Sequence, residues 1–287
     1  MKKTFQLIAL AFTAALFFPA CGSNDSDKTN NNGSDSSIVK NDSGKVNELT
    51  EFKYDMVISN IPIPFDILSS LTKSGVNFNP TILNVPANVN KYSRNDIKAV
   101  NLGIFGGDLA YVISFEQFSQ VGQYLKSTKT LADALGIPIA FDQRALTNYT
   151  KYKDNKDSLS KIIFNSYSEV DKTLKSNERI GLASLVVTGG WIEGLYTTTK
   201  TLGSSERNEK TNALYKKIFE QRTHLVKLIG LLGEFSSNDT FFAFLIADLN
   251  SLKTIYDGLG TKTDLSPEDV AVIAKKIDEI RTRLVNG

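Results

Sequence analysis

Three acidic side chains lie within otherwise apolar stretches, and they are the first residues of this sequence that could do chemistry. Glu193 lies in IGLASLVVTGGWIEGLY and Asp248 in FFAFLIADL, while Asp108 lies among glycines and aliphatic residues. A carboxylate removed from water is unfavourable unless it is hydrogen-bonded or paired, and burial raises its pKa. Buried acids mark ligand or catalytic sites, although purely structural networks produce the same pattern.

Helical spacing gives two of these acids aromatic neighbours. Tyr111 shares a helix face with Asp108, and Tyr196 shares one with Glu193. The favoured interpretation is that the acids tie helices together, and a polar ligand pocket is the second. Acid–base catalysis is the third, because a glycosidase needs two acids flanking an open cleft. We predict no catalytic residue, and the candidate ligand-binding residues are Asp108, Tyr111, Glu193, Tyr196 and Asp248.

The sequence lacks the residues that metal sites, nucleophilic catalysis and nucleotide binding require. His224 is the only histidine, so metal sites built from paired histidines or from cysteine and histidine are excluded. The sequence has no Gly-x-Ser-x-Gly nucleophile motif, no Walker motif and no dinucleotide-binding fingerprint. We therefore expect neither a metal nor a cofactor.

Pairs of glycines four residues apart occur on two of the predicted helices. Gly103 and Gly107 form one pair, and Gly190 and Gly194 form the other. Glycine costs roughly 1 kcal/mol relative to alanine inside a helix, so something should approach the backbone closely there. A tight helix–helix crossing is the favoured explanation, and a ligand against the bare backbone is the alternative.

The elements that must position these residues are helices. Ser93–Asp96 has a capping-box pattern and predicts a helix, either straight or kinked, to about Leu135, where Gly136-Ile137-Pro138 stops it. A short helix is expected over 140–150. The apolar spacing of residues 159–174 predicts a further helix. Three more are predicted: one between Asn177 and Thr201, one between the break at Gly203–Ser205 and about Leu232, and one between Ser237 and Tyr256.

The last helix has the clearest signals. Ser266-Pro267-Glu268-Asp269 supplies an N-cap, a proline in the first turn and acidic residues near the positive end of the helix. Its apolar stripe comprises Val270, Ile273, Ile277, Ile280 and Leu284. Because no strand-type alternation follows residue 95, we predict an all-α fold, an antiparallel bundle of five to seven helices.

Residues 45–95 are predicted to be an irregular segment that precedes the bundle. They contain four of the seven prolines: Pro62, Pro64, Pro80 and Pro86. Pro64 is expected to open a short helix ending at Lys73. Val76–Tyr92 is then expected to be an extended covering segment, whose apolar residues Phe78, Ile82, Leu83 and Val85 pack on the helices.

The N-terminus has the pattern of an exported lipoprotein. Lys2 and Lys3 precede an apolar run from Phe5 to Phe18, which is typical of a secretory signal peptide. Phe18-Pro19-Ala20-Cys21 resembles a lipobox, although Phe18 and Pro19 depart from its usual residues. We predict a signal peptide at 1–20, lipidation of Cys21 with palmitate-type acyl chains, a disordered polar tether over 21–44 and one helical domain over 45–287.

This anchor predicts a place in the cell envelope. Gly22 stands where an Asp would resemble an inner-membrane retention signal, so we expect the outer membrane, on its periplasmic or its surface-exposed face. Without residues 1–20, 31 basic and 31 acidic residues remain, which gives no electrostatic drive toward nucleic acid. The expected partners are the membrane, through the lipid, and an envelope protein or a small polar ligand.

Two stretches carry a resemblance to a known family. The sequences NLGIFGGDLAY from Asn101 and GGWIEGLY from Gly189 resemble stretches of a family of Bacteroidetes envelope lipoproteins. The resemblance covers roughly residues 60–200, and it implies an envelope location without an assigned activity. The sequence thus predicts a lipid-anchored, non-catalytic binding or interaction module. The alternative is a carboxylate-dependent hydrolase, for example one acting on glycans.

Overall fold

The fold is all-α, as the sequence predicts. The computed structural model describes residues 43–59, 64–137, 143–203, 205, 207–237, 239–262 and 264–287. These residues form ten α-helices and two short 3₁₀ helices, Pro80–Ile82 and Pro86–Lys91, and no strand. The α-helices are α1 (Ser43–Ile58), α2 (Pro64–Lys73), α3 (Asn95–Ser114), α4 (Phe118–Ala134), α5 (Gln143–Tyr152), α6 (Lys156–Ser176), α7 (Ile180–Gly203), α8 (Glu209–Gly233), α9 (Thr240–Gly258) and α10 (Pro267–Asn286).

The ten α-helices of the described residues exceed the five to seven expected for the bundle, because they include α2 of the preceding segment and two helices that the sequence did not predict. The long helix predicted from residue 93 to Leu135 is wrong, because it divides into α3 and α4 at Glu116. This residue adopts a left-handed φ of 56° without being glycine, so no Gly or Pro signals the break. In addition, α1 begins at Ser43, inside the segment expected to be a tether.

Three predicted helix caps had different outcomes. Ser266 and Asp269 form the predicted capping box at the start of α10. The capping box at Ser93–Asp96 is wrong, because the N-cap of α3 is Arg94 and lacks a side-chain cap. Asn177 caps the C-terminus of α6 and not the start of α7. The stop expected at Gly136-Ile137-Pro138 is confirmed at Gly136, which follows the C-cap of α4 with a left-handed φ of 73°, while Pro138 lies outside the described residues.

Two buried helices, α3 and α7, form the centre of the molecule. They run in the same direction, since Val100 lies opposite Gly189 and Gly107 lies opposite Glu193. Their approach requires glycine, because a Cβ on Gly189 would lie 1.9 Å from the Val100 carbonyl oxygen. A Cβ on Gly103 would meet the α7 backbone at the same distance. The tight-crossing interpretation is confirmed for Gly103, Gly107 and Gly190 but not for Gly194, which has no neighbour among the described residues within 4 Å of an added Cβ. The antiparallel arrangement does not hold for this central pair.

The helices around this pair are antiparallel to it. Helix α6 crosses α3 in the opposite direction, since the Tyr167 hydroxyl reaches Leu102 and the Lys156 ammonium reaches Ser114. Helix α10 runs opposite to α7, as the contacts of Glu193 with Arg281 and of Lys200 with Asp278 show. The predicted apolar stripe of α10 is buried along its whole length.

The Pro-containing segment covers one side of this core, along α3. Ile82, Leu83 and Tyr92 are buried, and Phe78 packs against the core. Val85 departs from the prediction and is 59% exposed, because it is the N-cap residue of the second 3₁₀ helix. The short helix expected from Pro64 to Lys73 is confirmed as α2.

Helix α3 is the one described helix long and apolar enough to cross a membrane by length and composition. Of its most apolar window, 83% is buried inside the protein. It carries Asp108 at its centre and packs against α4 and α7, so its apolar character serves the core.

Candidate functional site

The crossing of α3 and α7 brings two of the predicted acids together. Asp108 and Glu193 are both fully buried, and their carboxyl groups are in hydrogen-bonding contact. The contact depends on glycine, because the Gly107 position lies directly against the Cβ of Glu193. Two like charges in contact and out of water cannot both persist without compensation.

Arg281 of α10 supplies the compensating charge. Its Nε donates to Glu193 Oε2 at 2.8 Å, and one terminal nitrogen donates to Oε1 at 3.0 Å. This two-bond geometry is the strongest form of a carboxylate–guanidinium contact. The guanidinium also lies 4.3 Å from the centre of the Tyr196 ring. Burial raises the pKa of Tyr196 to about 12, so its hydroxyl stays protonated.

Asp108 is the member of this cluster whose surroundings favour the protonated form. Burial, and then the neighbouring charge of Glu193, hold the pKa of Asp108 well above its ordinary value. Its Oδ2 accepts from the Asn84 backbone N–H at 3.2 Å. Its Oδ1 has no hydrogen-bond donor among the described residues, which fits a hydroxyl that donates toward Glu193. With Asp108 neutral, the charges of Glu193 and Arg281 cancel.

The other two predicted site residues lie outside this cluster. The Tyr111 hydroxyl accepts from the Asn79 backbone N–H at 3.1 Å and shares a hydrogen bond with Thr201, which makes it a structural link. Asp248 lies near the surface of α9, where its side chain is 15% exposed. There it makes a two-bond ion pair with Arg283, at 2.6 and 3.0 Å. Helix α9 is amphipathic and not buried all round, since Phe244 is 46% exposed.

The buried cluster has the features of a structural ion pair that joins helices, and not those of a solvent-accessible site. Neither carboxyl group has any exposure, and the Arg281 side chain is 8% exposed. Within the described part of the chain, no group of three His, Cys, Asp or Glu residues is placed to hold a metal ion. Sequence reasoning missed Arg281, because a long cationic side chain bordering an apolar stripe is typical of a helix surface.

A second feature, the crevice, lies on another side of the same helix pair. It is a cavity of about 320 Å³ between α3, α6, α7 and the end of α1. Its floor is the backbone of Gly103, Gly106, Gly107 and Gly190 together with Ala110. The glycine spacing was the sequence signal for this crevice. From the sequence alone, a ligand against the glycine backbone was the alternative explanation, and a tight helix crossing was the favoured one. The structure has both features, since Gly103 and Gly107 contact α7 and also border the crevice.

The two ends of the crevice differ in polarity. At one end the Tyr54 hydroxyl donates to the Asp171 carboxylate, and burial raises the pKa of Asp171. Next to them, Lys175 contacts Asp55 at 2.6 Å. At the other end lies Trp191, whose indole N–H is already bound to Gln221 at 2.9 Å.

Solvent reaches this crevice. Phe164 at its rim is 51% exposed. Val187 and Gly190 are half-buried, although they lie in the middle of the most apolar helix. By comparison, Leu185 and Ile192 on the same helix are fully buried.

The chain matches no protein-family model, no curated protein and no solved structure. These comparisons therefore assign no role to the buried acids or to the crevice. The resemblance to Bacteroidetes envelope lipoproteins stays a prediction, as does the lipidation of Cys21, which lies outside the described residues.

Proposed function

We propose that this chain is a lipid-anchored protein of the cell envelope whose helical domain binds a small, largely apolar ligand in the crevice, without catalysing a reaction. The observation that carries the proposal is the crevice itself. Its volume of about 320 Å³ lies at the lower end of the range of roughly 300–1,000 Å³ for ligand pockets. Its apolar lining, with a few polar groups at one end, is the usual composition of such pockets.

An accidental packing defect is a poor explanation for this crevice. Protein interiors are close-packed, and voids larger than a water molecule are few in a domain. Here apolar side chains such as Phe164 and Val187 stay partly exposed around an open cavity. Apolar surface that is left open in a concave site favours ligand binding.

The sequence supports the membrane part of the proposal. The signal-like N-terminus, Cys21 and the polar residues that follow it are typical of a lipoprotein anchor. Helix α1 comes directly after this polar segment, and it contributes Tyr54 and Ile58 to the crevice. An anchored protein would thus be held at a membrane, where apolar molecules are concentrated.

The alternative of a carboxylate-dependent hydrolase has weaker support. Asp108 and Glu193 are adjacent, as a pair of catalytic acids would be. However, they have no exposure to solvent, and Arg281 occupies both oxygens of Glu193. The crevice is lined by other residues, so the ligand and the acids occupy separate places.

Filling the crevice tests the proposal. The neutral fluorophore N-phenylnaphthylamine should bind the wild-type protein saturably and change the emission of Trp191, the only tryptophan. In Val187→Phe a larger side chain enters the crevice, and affinity should fall at least about tenfold. Val272→Phe makes the same exchange at a position of α10 that is 52% exposed and outside the crevice, so it should bind normally. Equal binding by both variants and the wild type would overturn the proposal.

A further inference from the structure

The crevice also indicates what kind of molecule it takes. We propose that its ligand is a single-chain amphiphile with a non-anionic, hydrogen-bonding headgroup. The headgroup lies beside Tyr54 and Asp171, and the end of the alkyl chain lies beside Trp191. This inference rests on the proposed function, because it assumes that the crevice binds a ligand.

The length of the crevice suits one short alkyl chain. It is lined by residues 103–110 of α3, 163–171 of α6 and 183–191 of α7, a length of about 12 Å along the helices. An extended chain advances about 3.5 Å over three bonds, so about ten bonds fit end to end.

The helix directions fix which residues share an end. Helices α3 and α7 run together and α6 runs opposite to them, so Asp171 lies at the end of Gly103 and Ala183. Tyr54 of α1 is bound to Asp171 and belongs to this polar end. The opposite end is lined by Trp191 and Ile163 and offers only apolar surface, because the indole N–H is taken by Gln221.

The charges around the polar end select the headgroup. Asp171 lies in the crevice, and Asp55 and Glu51 lie next to it, at 2.6 and 3.6 Å from the Lys175 ammonium. Three carboxyl groups thus face a single ammonium. A carboxylate or phosphate headgroup would be repelled, whereas a hydroxyl or an ammonium can bind to the Asp171 carboxylate.

Bromine quenching of Trp191 tests both parts of this inference. The probes are ω-bromodecanol, ω-bromodecylamine and ω-bromodecanoate, which differ only in the headgroup. The alcohol and the amine should quench most of the Trp191 emission, and the carboxylate should bind at least about tenfold more weakly. A decanol brominated beside the headgroup carbon should bind as tightly as ω-bromodecanol but quench less. Equal affinity for the carboxylate, or stronger quenching by this isomer, would overturn the inference.

A variant that removes the charge of Asp171 distinguishes the contribution of the headgroup to binding from that of the alkyl chain. Asp171→Asn should lose the preference for the amine over the carboxylate while still binding ω-bromodecanol. Asp157→Asn, about 21 Å away along α6, should keep that preference. If Asp171→Asn keeps it as well, the headgroup assignment is wrong. Should Asp171→Asn disturb the fold, Tyr54→Phe tests the same end by weakening binding of the alcohol.

Failure of this inference differs from failure of the proposed function. If N-phenylnaphthylamine binds and Val187→Phe abolishes its binding, but the brominated chains do not quench Trp191, the crevice is a ligand site for another kind of molecule. If neither the fluorophore nor the chains bind, the proposed function fails too.

Discussion

The guanidinium of Arg281 binds both carboxylate oxygens of Glu193, at 2.8 and 3.0 Å, across 88 residues of sequence. The pair lies where Glu193 has no exposure and the Arg281 side chain has 8%. Breaking a buried ion pair on one side leaves an uncompensated charge, whereas an exposed pair contributes little. Because a buried pair and an exposed pair differ in this way, replacing Arg281 tests whether the Glu193–Arg281 pair is buried in the core.

Arg281→Met should lower the free energy of unfolding by about 3–5 kcal/mol, because Glu193 would stay buried without its counter-charge. Urea unfolding followed by circular dichroism measures the change. Arg283→Met is the matched control two residues along α10. It removes the surface pair with Asp248 and should cost no more than about 1 kcal/mol. Similar losses in both variants would contradict the buried-pair account.

Asp108→Asn should leave stability nearly unchanged at low pH and raise it progressively as the pH increases. The pKa of Asp108 is raised in the folded protein, so the folded state holds a proton that the unfolded state releases above about pH 4. Wild-type stability should therefore fall with pH, relative to the variant, by up to about 1.4 kcal/mol per unit. The difference stops growing where Asp108 ionises in the folded protein. Urea titrations between mildly acidic and mildly alkaline pH measure it, and a difference that does not change with pH would show that Asp108 is not protonated.

Gly189→Ala should destabilise the protein by at least about 3 kcal/mol, because the new Cβ would overlap the Val100 carbonyl and force α3 and α7 apart. Gly194→Ala, on the same helix, has no neighbouring atom within 4 Å of the new Cβ. It should stabilise by up to about 1 kcal/mol through helix propensity. Thermal or urea unfolding measures both changes, and a well-tolerated Gly189→Ala would argue against the close crossing.

Glu178→Gly should raise the free energy of unfolding by about 0.5–1 kcal/mol. Glu178 joins α6 to α7 with a left-handed φ of 57°, which glycine adopts without steric penalty. Glu169→Gly, within α6, is the control and should lower stability by about 1 kcal/mol. If both variants are destabilised alike, the left-handed turn at Glu178 is not strained.

Cys21→Ala should abolish fatty-acid labelling and move the protein from the membrane fraction to the soluble fraction, because the lipid is the proposed anchor. Metabolic labelling and fractionation of cells that express the full chain measure both effects. Thermal unfolding of the variant should match that of the wild type. A wild-type protein that takes up no fatty acid would make the lipoprotein proposal wrong.

The sequence by itself determined the helical class and the strongest local features. The capping box at Ser266 and the apolar stripe of α10 depend on residues three to seven positions apart, and local spacing of this kind survives any tertiary arrangement. Three of the four paired glycines, Gly103, Gly107 and Gly190, likewise indicated a close approach through their poor helix propensity, whereas Gly194 makes none within the described part of the chain. The burial of Asp108 and Glu193 followed from their apolar surroundings.

Only the tertiary structure decided which distant residues meet. It gave Glu193 its partner Arg281, placed Asp248 at the surface and joined Tyr54 to Asp171 across 117 residues. It also aligned α3 and α7 in the same direction, which no local signal encodes. Helical periodicity identifies an apolar face but not the helix that covers it, and the crevice exists only where α1, α3, α6 and α7 come together.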